Sequence, residues 1–233
     1  MIKLYSFGEN FGVTDPSPFV LKVNTYMRMC KIEFESIAHP KNLNLAPKGK
    51  LPFIEVDGEK IPDSQQIIAH LKKRPEQDLD SHLNDEQKAI AYLVTKSLDE
   101  NLYFVLVHSR WLRDDTWPTI KNAFFGKLPF PLKQLVPGIV RKQIRKGLKG
   151  QGIGRHSNQE MQQILRCSLQ ALSDLLGAKK YFFGDKPSSL DATVYAFLAA
   201  FILVNLDNPF NTIAKGYPNL VDYCQRVNAE YFS

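Results

Sequence analysis

A chain of 233 residues, 44% hydrophobic and 23% charged, can bury a core along its whole length, which excludes an intrinsically disordered segment. No apolar run reaches the roughly 18 residues that cross a bilayer, and Cys30, Cys167 and Cys224 stand too far apart for a zinc motif or a disulfide framework, so neither a transmembrane segment nor a metal is expected. The net charge of +6 is modest for a nucleic-acid binder, and no recognition motif accompanies it.

The opening residues, Met1 to Phe7, lack the charged head, apolar run and cleavage site of a secretory signal, so the expected compartment is the cytosol. Residues 2 to 7 are rich in β-formers and read as a first strand. A loop rich in Gly, Asn, Asp and Pro follows, from Gly8 to Pro16, before Ser17-Pro18 opens a helix with serine as N-cap and proline at the first helical position. Val20, Val23, Met27 and Cys30 give that helix its apolar face. Phe34 to Ala38 reads as a second strand, and Gly49 to Gly58 as a third that ends in an Asp57-Gly58 hairpin turn. Lys60 and Ile61 start the return strand, and Pro62-Asp63-Ser64 leads into a helix from Gln65 to Leu71.

Lys72 to Ser81 has linker composition, and beyond it the pattern is helical. Capping-box spacings occur at Asn84 with Gln87, Ser157 with Glu160, and Ser188 with Asp191. Between Asp115 and Glu160 no acidic residue occurs, while Lys121, Lys127, Lys133, Arg141, Lys142, Arg145, Lys146, Lys149 and Arg155 all do. Such a segment meets an anionic partner or is a solvated helix face, and both readings stand. Met161, Ile164, Leu165, Leu169, Leu172 and Leu176 share one helical face that Gly177 ends, and Ala192 to Val204 reads as a buried helix.

Two blocks carry a resemblance. Lys50-Leu51-Pro52-Phe53-Ile54 followed by Asp63-Ser64, and Phe183-Gly184-Asp185-Lys186-Pro187-Ser188-Ser189-Leu190-Asp191-Ala192-Thr193, resemble the glutathione-site and helical-domain signatures of the glutathione transferase superfamily. Gln151 to Ser157, with Ser17 to Val23, is similar to the metaxin-like branch that includes the failed-axon-connections proteins. The resemblance implies an α/β thioredoxin-like domain over residues 1–75, an all-α domain over residues 84–233, and a homodimer.

It also implies glutathione as co-substrate, with a cis Pro52 beside which Leu51 offers its backbone to the cysteinyl part, and with Asp63 and Ser64 gripping the γ-glutamyl end. Lys50 is a candidate for the glycyl carboxylate, as is Lys41. Transferase chemistry needs the thiol held as thiolate, and Ser17 is the candidate donor, although an ordinary N-cap accounts for Ser-Pro equally well; Tyr5 is the alternative. Phe104 and Trp111 are expected against a hydrophobic electrophile, with Trp117, Phe124, Phe125 and Phe130 as further candidates. Two functions stand at this stage. One is a glutathione transferase that conjugates the thiolate to an apolar electrophile or reduces a peroxide; the other is a non-catalytic module on the same fold that docks a protein or an anionic membrane surface.

Overall fold

The computed structural model describes residues 1–39 and 41–232. Along Ile2–Ser6 (β1) every second side chain is buried, the period-two pattern of a strand with one face against a core. Pro18–Met29 (α1) is capped by Ser17, whose Oγ accepts the Val20 N–H at 3.4 Å. It crosses to Phe34–Ala38 (β2), which pairs parallel with β1. After the short helix Asn42–Leu45 (α2), Phe53–Val56 (β3) and Glu59–Pro62 (β4) form an antiparallel hairpin. The turn works because Asp57 and Gly58 both take positive φ, 52° and 81°, as a two-residue hairpin requires. The four strands lie in the order β2-β1-β3-β4, and Ser64–Leu71 (α3) packs with α1 on the sheet. This is the thioredoxin-like arrangement expected from the sequence.

The helical half begins at Asp85–Ser97 (α4), where Asn84 and Gln87 form their reciprocal caps. The rod continues without a break through a π-turn at Leu98–Leu102, into Tyr103–Val107 (α5) and a second π-turn at His108–Leu112. Trp117–Phe125 (α6), Leu132–Gln151 (α7), Asn158–Leu176 (α8), Ser189–Ile202 (α9), Pro209–Lys215 (α10) and Pro218–Phe232 (α11) complete it. Helix α9 is buried almost all round and lies along α1, so one core unites the two halves. Its start is fixed by Asp191, whose carboxylate accepts the Ser188 N–H at 2.8 Å and the Ser188 hydroxyl at 2.7 Å.

The segment read as a linker is tied down. Asp80 is 7% exposed, pairs with Lys72, and accepts the Ser189 N–H at 2.7 Å and the Ser189 hydroxyl at 2.6 Å, so it joins α3 to the start of α9. Burial alone would push this carboxyl up; Lys72 and Ser189 outweigh it and hold the group below its ordinary value. The stability it contributes is therefore complete above the ordinary carboxylate range and is lost as pH falls through the lowered folded-state value. Asp80→Asn is expected to cost about 1 to 3 kcal/mol at neutral pH, since the bonds from Lys72 and from the Ser189 N–H and hydroxyl lose their charge assistance. Urea denaturation checks the sign: the gap between wild type and variant should narrow from about pH 5 towards pH 3. A gap that widens in acid would contradict this role for Asp80.

Candidate functional site

The loop from Phe7 to Ser17 sets the site. The Asp15 carboxylate accepts N–H bonds from Phe7 at 2.8 Å, Gly8 at 3.0 Å and Ser17 at 2.8 Å, which draws the two ends of the loop together. Burial pushes this carboxyl up to about 7, against the pull of those three donors and of the buried Arg110 guanidinium. Arg110 reaches from the helical rod to donate to the Pro16 carbonyl at 2.6 Å and the Ala200 carbonyl at 2.7 Å. The middle of the loop turns away: Asn10 and Val13 pair as a small bridge, and the Phe11 carbonyl accepts the Asn205 N–H at 2.8 Å. At Gly12, φ is 77° and a Cβ would meet the Asn205 amide at 2.6 Å, so only glycine fits. The middle of this loop is thus folded onto the helical half, and Ser17 stays at the mouth of a cleft.

That cleft lies between the two halves and has a volume of about 540 Å³, within the range of a small-ligand site. Ser17, Lys50, Leu51, Pro52, Asp63 and Ser64 all line it, so six of the residues singled out from sequence, scattered over 48 positions from 17 to 64, meet on one wall. The Leu51–Pro52 peptide is cis. Asp63 caps α3, its Oδ1 accepting the Gln65 N–H at 2.9 Å and the Gln66 N–H at 3.2 Å, while Ser64 is the first helical residue. Asp63 holds φ at 75°, a region that costs a non-glycine residue about 1 to 3 kcal/mol and that recurs at ligand sites. The Ser64 hydroxyl makes no hydrogen bond among the described residues. With the Gln65 and Gln66 N–H groups taken by Asp63, the start of α3 offers the Ser64 N–H and hydroxyl to an anion.

The facing wall is helical. Tyr103 and Phe104 line it, and Phe19 from α1 packs against Tyr103 with ring centres 4.7 Å apart. The Tyr103 hydroxyl has no hydrogen-bond partner among the described residues, and burial raises its pKa while Arg110 pulls it down. Beneath the cleft, Lys22 on α1 is fully buried and donates to both oxygens of Asp99, at 2.9 and 3.1 Å, with Asp99 itself on the cleft wall. Burial lowers the Lys22 pKa and raises that of Asp99, and their mutual attraction opposes both shifts.

Several expected residues fall elsewhere. Tyr5 does not line the cleft: it stacks on Phe53 with ring centres 4.1 Å apart and donates to Glu55 at 3.1 Å, so its hydroxyl is engaged on the sheet. Trp111 also lies outside, in a second apolar cluster with Val13, Ile120, Trp117 and Phe124 that seats the Phe7–Ser17 loop. Phe125 packs beside these tryptophans, and Phe130 is exposed. Of the two basic candidates for a carboxylate, Lys50 lines the cleft and Lys41 does not; Lys48 takes the place beside Lys50. Gln65, Gln66 and Lys48 were legible as neighbours of the Asp63-Ser64 and Lys50-Leu51 pairs, whereas Asp15, Arg110, Lys22 and Asp99 carry no local signal.

Comparison with known proteins shows the family. Residues 18–116 match the glutathione S-transferase N-terminal domain and residues 165–227 the glutathione S-transferase C-terminal domain. An isoprene-epoxide–glutathione S-transferase of Rhodococcus sp. (strain AD45) is 35% identical, with 99% of each chain covered. Failed axon connections of Drosophila melanogaster is 30% identical over the whole of this chain and 58% of its own length, and human metaxin-2 is 26% identical over 97% of this chain and 86% of its own. Among solved structures, a rice glutathione transferase in complex with glutathione superposes with a TM-score of 0.60 at 17% identity, covering 98% of this chain and 87% of that one, which shows the shared fold. With both halves matched and the full length aligned, the chain belongs to the glutathione S-transferase family, in the branch it shares with Failed axon connections and the metaxins.

Proposed function

We propose that the cleft binds glutathione along Leu51 and Pro52 and that the Ser17 hydroxyl holds its thiol as a thiolate for attack on a small apolar electrophile. The observation that carries this reading is the meeting of Ser17, Leu51, Pro52, Asp63 and Ser64 on one wall, opposite aromatic side chains from the helical half. The γ-glutamyl carboxylate would take the Ser64 hydroxyl and the Ser64 N–H at the start of α3, where the helix dipole favours an anion. Lys48 and Lys50, exposed at the rim, suit the glycyl carboxylate.

The proposed electrophile class is an epoxide, for which the aromatic wall would offer an apolar seat and Tyr103 a hydroxyl. The thiolate attacks a ring carbon, the bond from that carbon to oxygen breaks as the carbon–sulfur bond forms, and the oxygen, still held by the neighbouring carbon, becomes an alkoxide that needs a proton. Tyr103, half-buried and without a hydrogen-bond partner, is placed to give that proton and to recover it from water. The Rhodococcus relative, whose name specifies isoprene epoxide, supports the same class.

Ser64→Ala tests the binding half of the proposal. Loss of a hydrogen bond to a charged group is worth about 1.5 to 3 kcal/mol, so calorimetric titration should give a glutathione Kd roughly 10- to 100-fold weaker than wild type, with unchanged circular dichroism. An unchanged Kd would remove Ser64 from the site.

A further inference from the structure

We infer that the outward face of α7 docks on an anionic membrane surface, with the apolar start of the helix entering first. This surface lies apart from the glutathione cleft, to which α7 contributes no residue. It is built in two halves along one helix. At the start, Leu132, Leu135 and Ile139 are 46%, 60% and 56% exposed, and Phe130 just ahead is 80% exposed. Steps of three and four residues set the three helical side chains in one stripe. The inward stripe is different: Pro137 and Leu148 are buried, and Arg141 donates to the carbonyls of Trp111 and Leu112, each at 3.0 Å, and to Asp114 at 2.6 Å. Beyond Ile139 the outward stripe changes character, continuing as Lys142, Arg145, Lys146 and Lys149. All four are exposed, and none of their side chains makes an ion pair or a hydrogen bond among the described residues.

Large exposed apolar side chains grouped together mark an interaction site, and the unpaired cations beside them specify an anionic partner. The order along the axis favours lipid. From Leu132 to Lys149 the helix runs about 25 Å, so a tilted approach would sink Phe130, Leu132 and Leu135 by about 5 to 10 Å while the lysines stay level with headgroup phosphates. An acidic protein would satisfy the cations, but it would need a fitted pocket for the apolar end.

Co-sedimentation with vesicles tests this, comparing phosphatidylcholine alone with a phosphatidylcholine–phosphatidylserine mixture. The wild type is expected to partition onto the mixed vesicles, and less so as salt rises. Leu135→Glu/Ile139→Glu and Lys142→Glu/Lys146→Glu/Lys149→Glu should each lower that partition at least about tenfold, with circular dichroism and glutathione titration unchanged because every altered side chain is exposed. No partition of the wild type, equal partition onto neutral vesicles, or indifference to both variants would overturn the inference. So would sedimentation showing that the same variants split a dimer while wild type ignores lipid, since a second copy of the chain would then cover the face.

Discussion

Ser17→Ala is expected to lower turnover with glutathione roughly 10²- to 10³-fold while moving glutathione affinity by less than about threefold. A free thiol of this type ionises near about 8.5, so without a donor few glutathione sulfurs are thiolate at neutral pH. A hydroxyl donating to sulfur, at the N-terminus of α1, favours the charged form. Ser17 also caps α1, but its bond to the Val20 N–H is long at 3.4 Å. The two roles separate with Ser17→Gly, because glycine at an N-cap costs only a few tenths of a kcal/mol and supplies no hydroxyl. Steady-state kinetics with an epoxide should show both variants equally impaired, with near wild-type melting for the glycine variant. Turnover retained in both would assign Ser17 to capping alone.

The second large effect is on stability. Asp99→Ala is expected to cost about 3 to 5 kcal/mol, because it strands the fully buried Lys22 ammonium without its partner. The pair ties α1, which carries Ser17 at its start, to the π-turn that precedes Tyr103, and so sets the spacing between the two walls of the cleft. Replacing both charges together, as Lys22→Met/Asp99→Leu, should recover most of the loss, since a buried ion pair barely outperforms well-packed apolar groups of similar volume. Urea denaturation of the two variants reads this directly. A single-variant loss below about 1 kcal/mol would mean that water reaches Lys22 and that the pair holds nothing in place.

How legible all this was in the sequence depended on range. Strand alternation at Ile2–Ser6, the Asp57-Gly58 turn, the Asn84–Gln87 and Ser157–Glu160 boxes and the Asp63-Ser64 helix start are local patterns, and each took the form its residues dictate. The cleft wall followed from the same short motifs because β3, β4 and α3 are consecutive. Tyr5 lies off the cleft for a reason its strand does not reveal, because alternation shows which residues share a face but not which face meets the cleft. Trp111 lies off it for another reason: the identity of an aromatic side chain does not distinguish a pocket wall from a core position, and Trp111 packs with Trp117 and Phe124 instead. Lys22 with Asp99, and Asp15 with Arg110, are joined only by the fold, across 77 positions in the first case. Nothing beside any of them in sequence announces the partner.

In the proposed complex this cleft holds glutathione with its sulfur against Ser17. Ultraviolet thiolate absorbance of the protein saturated with glutathione, followed across pH, measures that state directly. The bound thiol is expected to ionise at least about one unit below the free value of about 8.5 in wild type, and at the free value in Ser17→Ala. A wild-type titration that overlays free glutathione would contradict it.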